Sequence, residues 1–358
     1  MSDHHSTEKG LFPVSRRGLL RAGLGASAFL AGPFIRRARA AETLYVNTWG
    51  GPWEVAAAKS LFPAFTKATG AEIRTVSPVS VAKLAAQIRT GAYEFDVTTL
   101  GAGDIVRANE TGLIEEITPA ISQKLGLWPD AVFQNGVASH AFSTIIAFRK
   151  DKYPNGGPQN WAEFWDTQKF AGPRSLQRYA SRVLPLALAA DGVPLDRLYP
   201  MDEERAFKSL ERIKPSIRIW WTQGPQSQQL LRDAEVSAIG MWHSQATALA
   251  DQGAPIEMVW NQAEIDRAYW VVAKGTPRAE LAWQYIKAAT SPEALAGFCK
   301  SANYGPLNPK AFDYLTPQEA AKTPTSPEHR KLAFDQDTLH PGVDLEQVSR
   351  RFDQWLGA

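Results

Sequence analysis

The stretch TLYVNTWGGPWEVAAAKSLFPAFTKATGAEIRTV, residues 43–76, decides the fold. It begins with a strand pattern over residues 43–48. Apolar residues then recur at four-residue spacing over residues 53–69 and stop at Gly70, which is typical of a helix that ends in glycine. A second strand pattern follows over residues 72–76. Strand, helix and strand in this order predict a βαβ unit with parallel strands.

The same alternation extends towards the C-terminus. Helical patterns separate the strands, so we expect an α/β fold with a mainly parallel sheet covered by helices. The further predicted strands occupy residues 95–100, 143–149, 216–221, 236–241, 256–260 and 269–273. Ligands of such sheets bind at the carboxyl ends of strands, which here include residues 48–51 and 100–103.

Residues 1–40 have the pattern of a bacterial export signal. The pair Arg16-Arg17 precedes an apolar run over residues 22–35, which is too short for a stable membrane span, and Ala38-Arg39-Ala40 form a small-x-small cleavage site. The arginine pair is typical of proteins exported by the twin-arginine translocase. We therefore predict cleavage near Ala40 and a periplasmic mature protein. The alternative is a disordered basic tail.

Cleavage of this signal changes the charge balance. The whole chain has 39 Lys and Arg against 37 Asp and Glu, a net charge of +2. Residues 1–40 hold seven of the basic and two of the acidic residues, which leaves 32 against 35 and a net charge of −3. The basic excess belongs to the signal, so nothing indicates a nucleic acid or an anionic membrane surface as partner.

The length of the mature chain predicts two lobes. The 318 residues after residue 40 exceed one ordinary hydrophobic core.

The residue types of catalytic and metal sites are sparse. Cys299 is the only cysteine, so it forms neither an intramolecular disulfide nor a cysteine metal cluster. The four histidines after residue 40 have no metal-ligand spacing, and the chain has no nucleophile elbow or P-loop. The turn Gly101-Ala102-Gly103 lacks the third glycine of a dinucleotide motif. We therefore expect no cofactor, no metal and no enzymatic activity.

Several short motifs occur in the order found in one protein family. They are Asn47-Thr48-Trp49, residues 65–70, residues 93–97, residues 239–242, residues 252–256 and residues 304–309. Together they cover nearly the whole mature chain, which resembles the periplasmic solute-binding proteins of ABC importers, and in particular the spermidine/putrescine-binding branch. The resemblance implies a type II periplasmic-binding-protein fold, in which crossing strands join two α/β lobes around a ligand cleft. We place the crossings at residues 143–149 and 267–273. Lobe 1 then comprises residues 42–145 and 272–310, lobe 2 comprises residues 146–271, and residues 311–358 form a C-terminal tail packed on the lobes. The resemblance also implies a monomer that serves an inner-membrane ABC permease.

Aromatic residues and glycines are the first candidates for ligand binding. Trp49 and Trp242 match positions where polyamine binders place aromatic walls, and Tyr304 matches another aromatic contact of the family. Gly50 and Gly51 lie at the start of the first helix, followed by Pro52 and Trp53. We expect this turn to present backbone N–H groups and the positive helix end to the cleft, with a tight turn as the alternative.

Three positions depart from the pattern of polyamine binders. Tyr179, Arg182 and Tyr269 occupy places where those proteins have carboxylates. A cleft lined by Arg182, with Arg178 or Arg267, repels a polyamine and pairs with a carboxylate, because guanidinium is a planar two-pronged donor. The alternative for Arg182 is a charge on a surface helix.

The predicted ligand is therefore a small carboxylate-bearing or zwitterionic metabolite, such as the ω-amino acid 4-aminobutyrate. Glu264 and Asp266, just before the second crossing strand, are candidates for binding its amino group. Three alternatives remain: a polyamine binder proper, a metal-binding relative on the same fold, and an exported enzyme that carries a cofactor.

Overall fold

The first βαβ unit forms as its apolar spacing predicts. In the computed structural model, which describes residues 42–133, 135–337 and 344–357, the first helix spans Gly51–Thr69. It buries Trp53, Ala57, Leu61 and Phe65 on one face, and Gly70 ends it in the left-handed conformation with φ 76°. The predicted export signal, residues 1–40, lies outside the described residues.

The structure has ten strands and fourteen α-helices over the described ranges. The strands are β1 (Thr43–Asn47), β2 (Glu72–Val76), β3 (Val97–Gly101), β4 (Val132–Phe133), β5 (Gly136–Arg149), β6 (Arg174–Gln177), β7 (Ile217–Trp221), β8 (Ala238–Trp242), β9 (Ile256–Val272) and β10 (Phe334–Asp335). The helices are α1 (Gly51–Thr69), α2 (Val81–Thr90), α3 (Ala102–Glu110), α4 (Pro119–Ser122), α5 (Trp161–Trp165), α6 (Ala180–Ala190), α7 (Glu203–Ile213), α8 (Gly224–Arg232), α9 (His243–Asp251), α10 (Ala279–Ala289), α11 (Pro292–Ala302), α12 (Pro317–Ala320), α13 (Pro327–Arg330) and α14 (Leu345–Gly357).

One sheet runs through both lobes. Its strand order is β2-β1-β3-β9-β5-β8-β6-β7, with β10 beside β9 and β4 beside β5. Strands β1, β2 and β3 pair in parallel at one end, and β6, β7 and β8 pair in parallel at the other. The long strands β5 and β9 pair antiparallel between these two groups. This is the type II periplasmic-binding-protein fold, with two α/β lobes joined by crossing strands.

The crossing coincides with an irregularity in the β5–β9 pairing. Thr144 lies opposite Glu264, but Ile146 lies opposite Val259, so residues 260–263 bulge from β9. Within this bulge Gln262 has φ 60°. We infer that the chain changes lobes here, because the part of β9 after the bulge pairs with β3. The predicted crossing at residues 267–273 lies later, within the β3 pairing, and the lobe boundaries predicted above stay predictions.

Each lobe has its own apolar core. The first packs α1, α10 and α11 on the sheet around Phe65, Trp270 and Phe298. The second surrounds α6 and includes Leu184 and, from the C-terminal helix, Phe352. No helix in the described ranges is long and apolar enough to cross a membrane.

Candidate functional site

A cleft of about 970 Å³ opens where the two lobes meet. Its walls come from the β3–α3 turn, the start of α6, the β8–α9 turn, the middle of β5 and β9, and the first turn of α14. Ligand sites of small molecules are concave spaces of this order, with a few polar groups that converge on the ligand. The carboxyl ends of β3 and β8 lie at this cleft, as the general rule for α/β sheets predicts.

Three helices point their N-termini into the cleft. Gly101, Tyr179 and Trp242 precede α3, α6 and α9, and none of them provides a side-chain cap for the first turn. Uncapped first turns have free N–H groups and a partial positive charge, which favour an anion. Of these three junctions, the one at α3 was expected from the sequence, as the strand end at residues 100–103. The strand-to-helix junctions at α6 and α9 carry no glycine, so the sequence did not predict that these helix N-termini face the cleft.

The glycine turn at the start of α1, which was predicted to face the ligand, lies outside the cleft. Neither Gly50 nor Gly51 lines the cleft, although both have positive φ. The N–H of Gly50 donates to Thr48 Oγ1 over 3.2 Å. In the first turn, the Glu54 carboxylate accepts hydrogen bonds from the hydroxyls of Thr48 and Thr75. The positive end of α1 therefore already has a carboxylate from its own chain.

Aromatic residues from both lobes do meet in the cleft. Trp49, which is 48% exposed, Trp242 and Tyr304 all line it. The Trp242 ring stacks on Tyr179 at 6.2 Å between centroids, and its Nε1 is buried with no hydrogen-bond partner in the described part of the chain. Tyr304 stacks on His140, another lining residue, at 4.1 Å.

Trp53 lies in the core of the first lobe. Its ring packs edge-on against Phe298 at 5.2 Å, and only 4% of the residue is exposed. Trp53 belongs to the buried face of α1, so its position follows from helical periodicity.

Arg182 is the charged centre of the cleft. Its Nη2 donates to Asp266, and its Nη1 lies 3.6 Å from the Glu264 carboxylate. The guanidinium also lies 4.8 Å from the centre of the Phe142 ring. Nη1 is buried and makes no hydrogen bond within the described ranges. Arg182 is therefore fixed by Asp266, and its Nη1 is a buried donor beside Glu264.

This cluster shifts the protonation of its members. Burial raises the pKa of Glu264 to about 7, although the neighbouring charge of Arg182 opposes this rise. Burial by itself lowers the pKa of Arg182, but the carboxylates of Asp266 and Glu264 outweigh it and raise the pKa above its ordinary value. Burial also lowers the pKa of His140 to about 3 and of His243 to about 4. Both histidines are neutral at physiological pH.

The raised pKa of Glu264 predicts a pH-dependent stability. Because the folded state binds this proton more tightly than the unfolded state, the contribution is complete below the ordinary pKa of 4.5 and is lost as the pH rises through about 7. From about pH 5 to about pH 8, we expect the wild-type protein to lose more unfolding free energy than Glu264→Gln, which cannot ionise. Urea unfolding at both pH values measures this difference. Parallel pH profiles for the two proteins would contradict it.

The other predicted polar residues lie outside the cleft. Arg267 makes ion pairs with Asp130 and Asp335 at 2.6 and 2.7 Å, and Arg178 pairs with Asp353 at 2.9 Å. Tyr269 and Tyr179 also lie outside the lining residues. Tyr269 is buried and packs near Phe133, whereas the Tyr179 hydroxyl donates to the Thr222 carbonyl over 2.6 Å.

The charge of the cleft differs from the predicted positive lining. Arg182 and Arg107 are the arginines among the lining residues, and Arg107 pairs with Asp104 at 2.7 Å. The acidic lining residues are Asp104, Glu110, Asp266, Asp344 and Glu346. Acids therefore outnumber arginines, so the cleft does not exclude an amino group. The acids of α3 and α14 were missed because only the fold brings these two helices to one opening.

Comparison with known proteins places the chain among transport components. A family profile described as "Bacterial extracellular solute-binding protein" matches residues 60–328. A gamma-aminobutyric acid-binding protein of Pseudomonas aeruginosa is 30% identical, over 88% of this chain and 91% of that protein. The spermidine/putrescine-binding periplasmic protein of Escherichia coli is 23% identical, over 83% of this chain and 86% of that protein.

Solved structures share the fold. An ABC transporter substrate-binding protein from Bradyrhizobium japonicum has 30% sequence identity and a TM-score of 0.83, over 88% of this chain and 99% of that one. A GABA receptor has 30% identity and a TM-score of 0.81, over 88% of this chain and 98% of that one.

Two α/β lobes around a cleft, together with these structures, define the class as the substrate-binding components of ABC transporters. The chain belongs to the family of bacterial extracellular solute-binding proteins. Members of this family act outside the cytoplasmic membrane, bind a small molecule and serve a membrane permease. They are not enzymes, which confirms that prediction.

Proposed function

We propose that this protein captures a small zwitterionic ω-amino acid of the 4-aminobutyrate type and delivers it to an ABC permease. One observation carries the proposal: the cleft combines a partly unsatisfied arginine and three uncapped helix N-termini with a surplus of carboxylates. An anionic end and a cationic end of one ligand therefore both find partners. We propose Trp49, Arg182, Trp242 and Tyr304 as ligand contacts among the residues predicted from the sequence.

The carboxylate of the ligand is assigned to the helix ends. Arg182 Nη1 provides a buried donor, and Ser181 at the start of α6 and Gly101 at the start of α3 line the same space. A charge-assisted hydrogen bond to a buried guanidinium is about twice as strong as a neutral one. These donors are held by Asp266 and by the helices, so little ordering is needed when the ligand binds.

The amino group is assigned to the acids and the aromatic walls. Asp266 is nearly buried; its Oδ2 accepts a hydrogen bond from Arg182 and its Oδ1 accepts one from the main-chain N–H of Arg267 over 2.6 Å, and each oxygen has a second lone pair. Trp49 and Trp242 present aromatic surface that suits both methylenes and a neighbouring ammonium group.

The similar proteins agree with this ligand class. Two of them, at 30% identity, are named for gamma-aminobutyric acid or GABA, whereas the polyamine-binding relative is 23% identical. The polyamine alternative finds support in the acidic surplus of the cleft, but a diamine leaves the uncapped ends of α6 and α9, whose first turns hold no acidic residue, without an anionic partner.

Isothermal titration calorimetry of the purified mature protein tests the proposal. We expect 4-aminobutyrate to bind with a Kd in the micromolar range, about −8 kcal/mol, and putrescine and spermidine to bind at least about tenfold more weakly. Glu54→Gln, at the helix end outside the cleft, is a control that should retain the wild-type affinity. Tight putrescine binding without 4-aminobutyrate binding would overturn the proposal in favour of a polyamine binder.

We also propose that the protein is exported as a folded monomer through the twin-arginine pathway and cleaved near Ala40. The sequence of residues 1–40 supports this, with Arg16-Arg17 ahead of the apolar run. Replacement of both arginines by lysine should leave the precursor in the cytoplasm. Periplasmic recovery of that variant at the wild-type level would argue against this route.

A further inference from the structure

The C-terminal helix α14 is anchored on the second lobe. Its residues Val348 and Phe352 are each 1% exposed and belong to the core around α6. Phe352 packs on Trp220 of β7 at 5.6 Å between ring centroids, and Lys214 Nζ donates to the Trp355 carbonyl over 2.7 Å. These contacts tie all but the first turn of α14 to one lobe.

The first turn of α14 reaches the opposite wall of the cleft. Asp344, Leu345 and Glu346 are lining residues, and Asp344 Oδ1 accepts hydrogen bonds from the N–H groups of Glu346 and Gln347 at 3.1 and 2.9 Å. This cap gives the helix a defined start. Leu345 faces Gly103, in the first turn of α3 on the first lobe: a Cβ at Gly103 would lie 3.0 Å from Leu345 Cδ1.

Glycine at position 103 makes room for this contact. Its φ is not in the left-handed region, so its own backbone does not require glycine. Glycine lowers the stability of a helix by about 1 kcal/mol relative to alanine. Apart from its chain neighbours and its own helix, Leu345 is the residue whose atoms lie within 4 Å of the Cβ position. Leu345, from the other side of the cleft, therefore occupies the space that a side chain at position 103 would need.

We propose that the first turn of α14 is a latch between the lobes, with Leu345 seated on Gly103 at the mouth of the cleft. The lobes separate only when this contact breaks, so Leu345 determines how long a ligand stays bound. The latch does not depend on the identity of the ligand. It assigns a role in ligand retention to the C-terminal segment, which the sequence alone described as a packing tail.

Cross-linking tests the latch without a ligand. In the purified mature protein, Gly103→Cys with Leu345→Cys should react rapidly with a short bifunctional methanethiosulfonate reagent, which links the two thiols. Gly103→Cys with Leu345→Ala and Gln347→Cys is the matched control, because it leaves room for the thiol at position 103 and places the second thiol at an exposed position outside the cleft lining. Cys299 is fully buried and stays out of the reaction. Equal linkage in both pairs, or none at positions 103 and 345, would overturn the latch.

Stopped-flow tryptophan fluorescence with 4-aminobutyrate as probe tests whether Leu345 slows the release of ligand. This second experiment rests on the proposed function. We expect Leu345→Ala to raise the dissociation rate about fivefold with an unchanged association rate, because apolar contact is lost in the closed form. Gly103→Ala should act similarly, and the double variant should be less impaired than the product of the two effects. An unchanged dissociation rate in Leu345→Ala would overturn the latch. If the wild-type protein does not respond to 4-aminobutyrate, the proposed function fails and the cross-linking result decides the latch.

Discussion

Replacement of Arg182 by alanine is expected to weaken 4-aminobutyrate binding about 100-fold or more. The variant loses the buried donor Nη1 and also the cation that lies beside Asp266 and Glu264. Two carboxylates then share a poorly solvated space, which drives the pKa of Glu264 further up and keeps it protonated at neutral pH. The cleft loses its strongest anion-binding group. Calorimetric titration of the variant with 4-aminobutyrate measures the loss.

Arg178→Ala is the matched control for this experiment. Arg178 lies four residues away, but its ion pair with Asp353 is exposed and it does not line the cleft. An exposed pair contributes about 0–1 kcal/mol, so affinity and stability should stay close to the wild-type values. Thermal unfolding of Arg182→Ala separates lost binding from lost structure. Wild-type affinity in a folded Arg182→Ala protein would contradict the assignment of the carboxylate to this residue.

Replacement of Arg174 by methionine should destabilise the second lobe by about 3 kcal/mol or more. Arg174 is 0% exposed, and within the described ranges its hydrogen bonds go to main-chain oxygens and not to a carboxylate. Its guanidinium donates to main-chain carbonyl oxygens of the segment 164–172. The acceptors are Phe164 at 2.6 Å, Gly172 at 2.8 Å, Asp166 at 3.3 Å, and Phe170. Methionine fills similar space but leaves these oxygens buried without donors.

Urea unfolding followed by tryptophan fluorescence measures this effect. Arg218→Ala, on the neighbouring strand β7, is the control because its 3.9 Å ion pair with Glu235 is exposed, and we expect a change below about 1 kcal/mol. The folded fraction of Arg174→Met should still bind ligand with wild-type affinity, since Arg174 does not line the cleft. An unchanged unfolding midpoint would show that the segment 164–172 does not depend on this arginine.

The elements that follow simple periodicity were predictable, and those that depend on irregular pairing were not. Helix α1 and strands β1 and β2 match their apolar spacing. Strand β9 was predicted as two strands, residues 256–260 and 269–273, but it runs continuously over Ile256–Val272. Its bulge at residues 260–263 and the polar residues Glu264, Asp266 and Arg267 break the apolar pattern. Those polar residues are tolerated because each has a partner within the fold.

In the candidate site, too, some residues were predictable from the sequence and others were not. Trp49, Trp242, Tyr304 and Arg182 were named from chemistry and resemblance, and they line one cleft. Arg178 and Arg267 were expected to line the cleft, but the structure places them in ion pairs with Asp353 and Asp335, which are distant partners that local sequence does not indicate. Whether a charged side chain faces a ligand or an ion pair depends on residues far away in the chain.

Local patterns were sufficient for the α/β class, because apolar spacing acts over short stretches of chain, and the order of short motifs along the chain was sufficient for the family. Tertiary structure alone decided three further points: Arg182 is held by Asp266 and Glu264, helices α3, α6 and α9 converge on one cleft, and Leu345 lies beside Gly103. Each of these depends on residues brought together from far apart in the chain. Their energies come from burial and from distances of a few ångströms, which exist only once the lobes are packed.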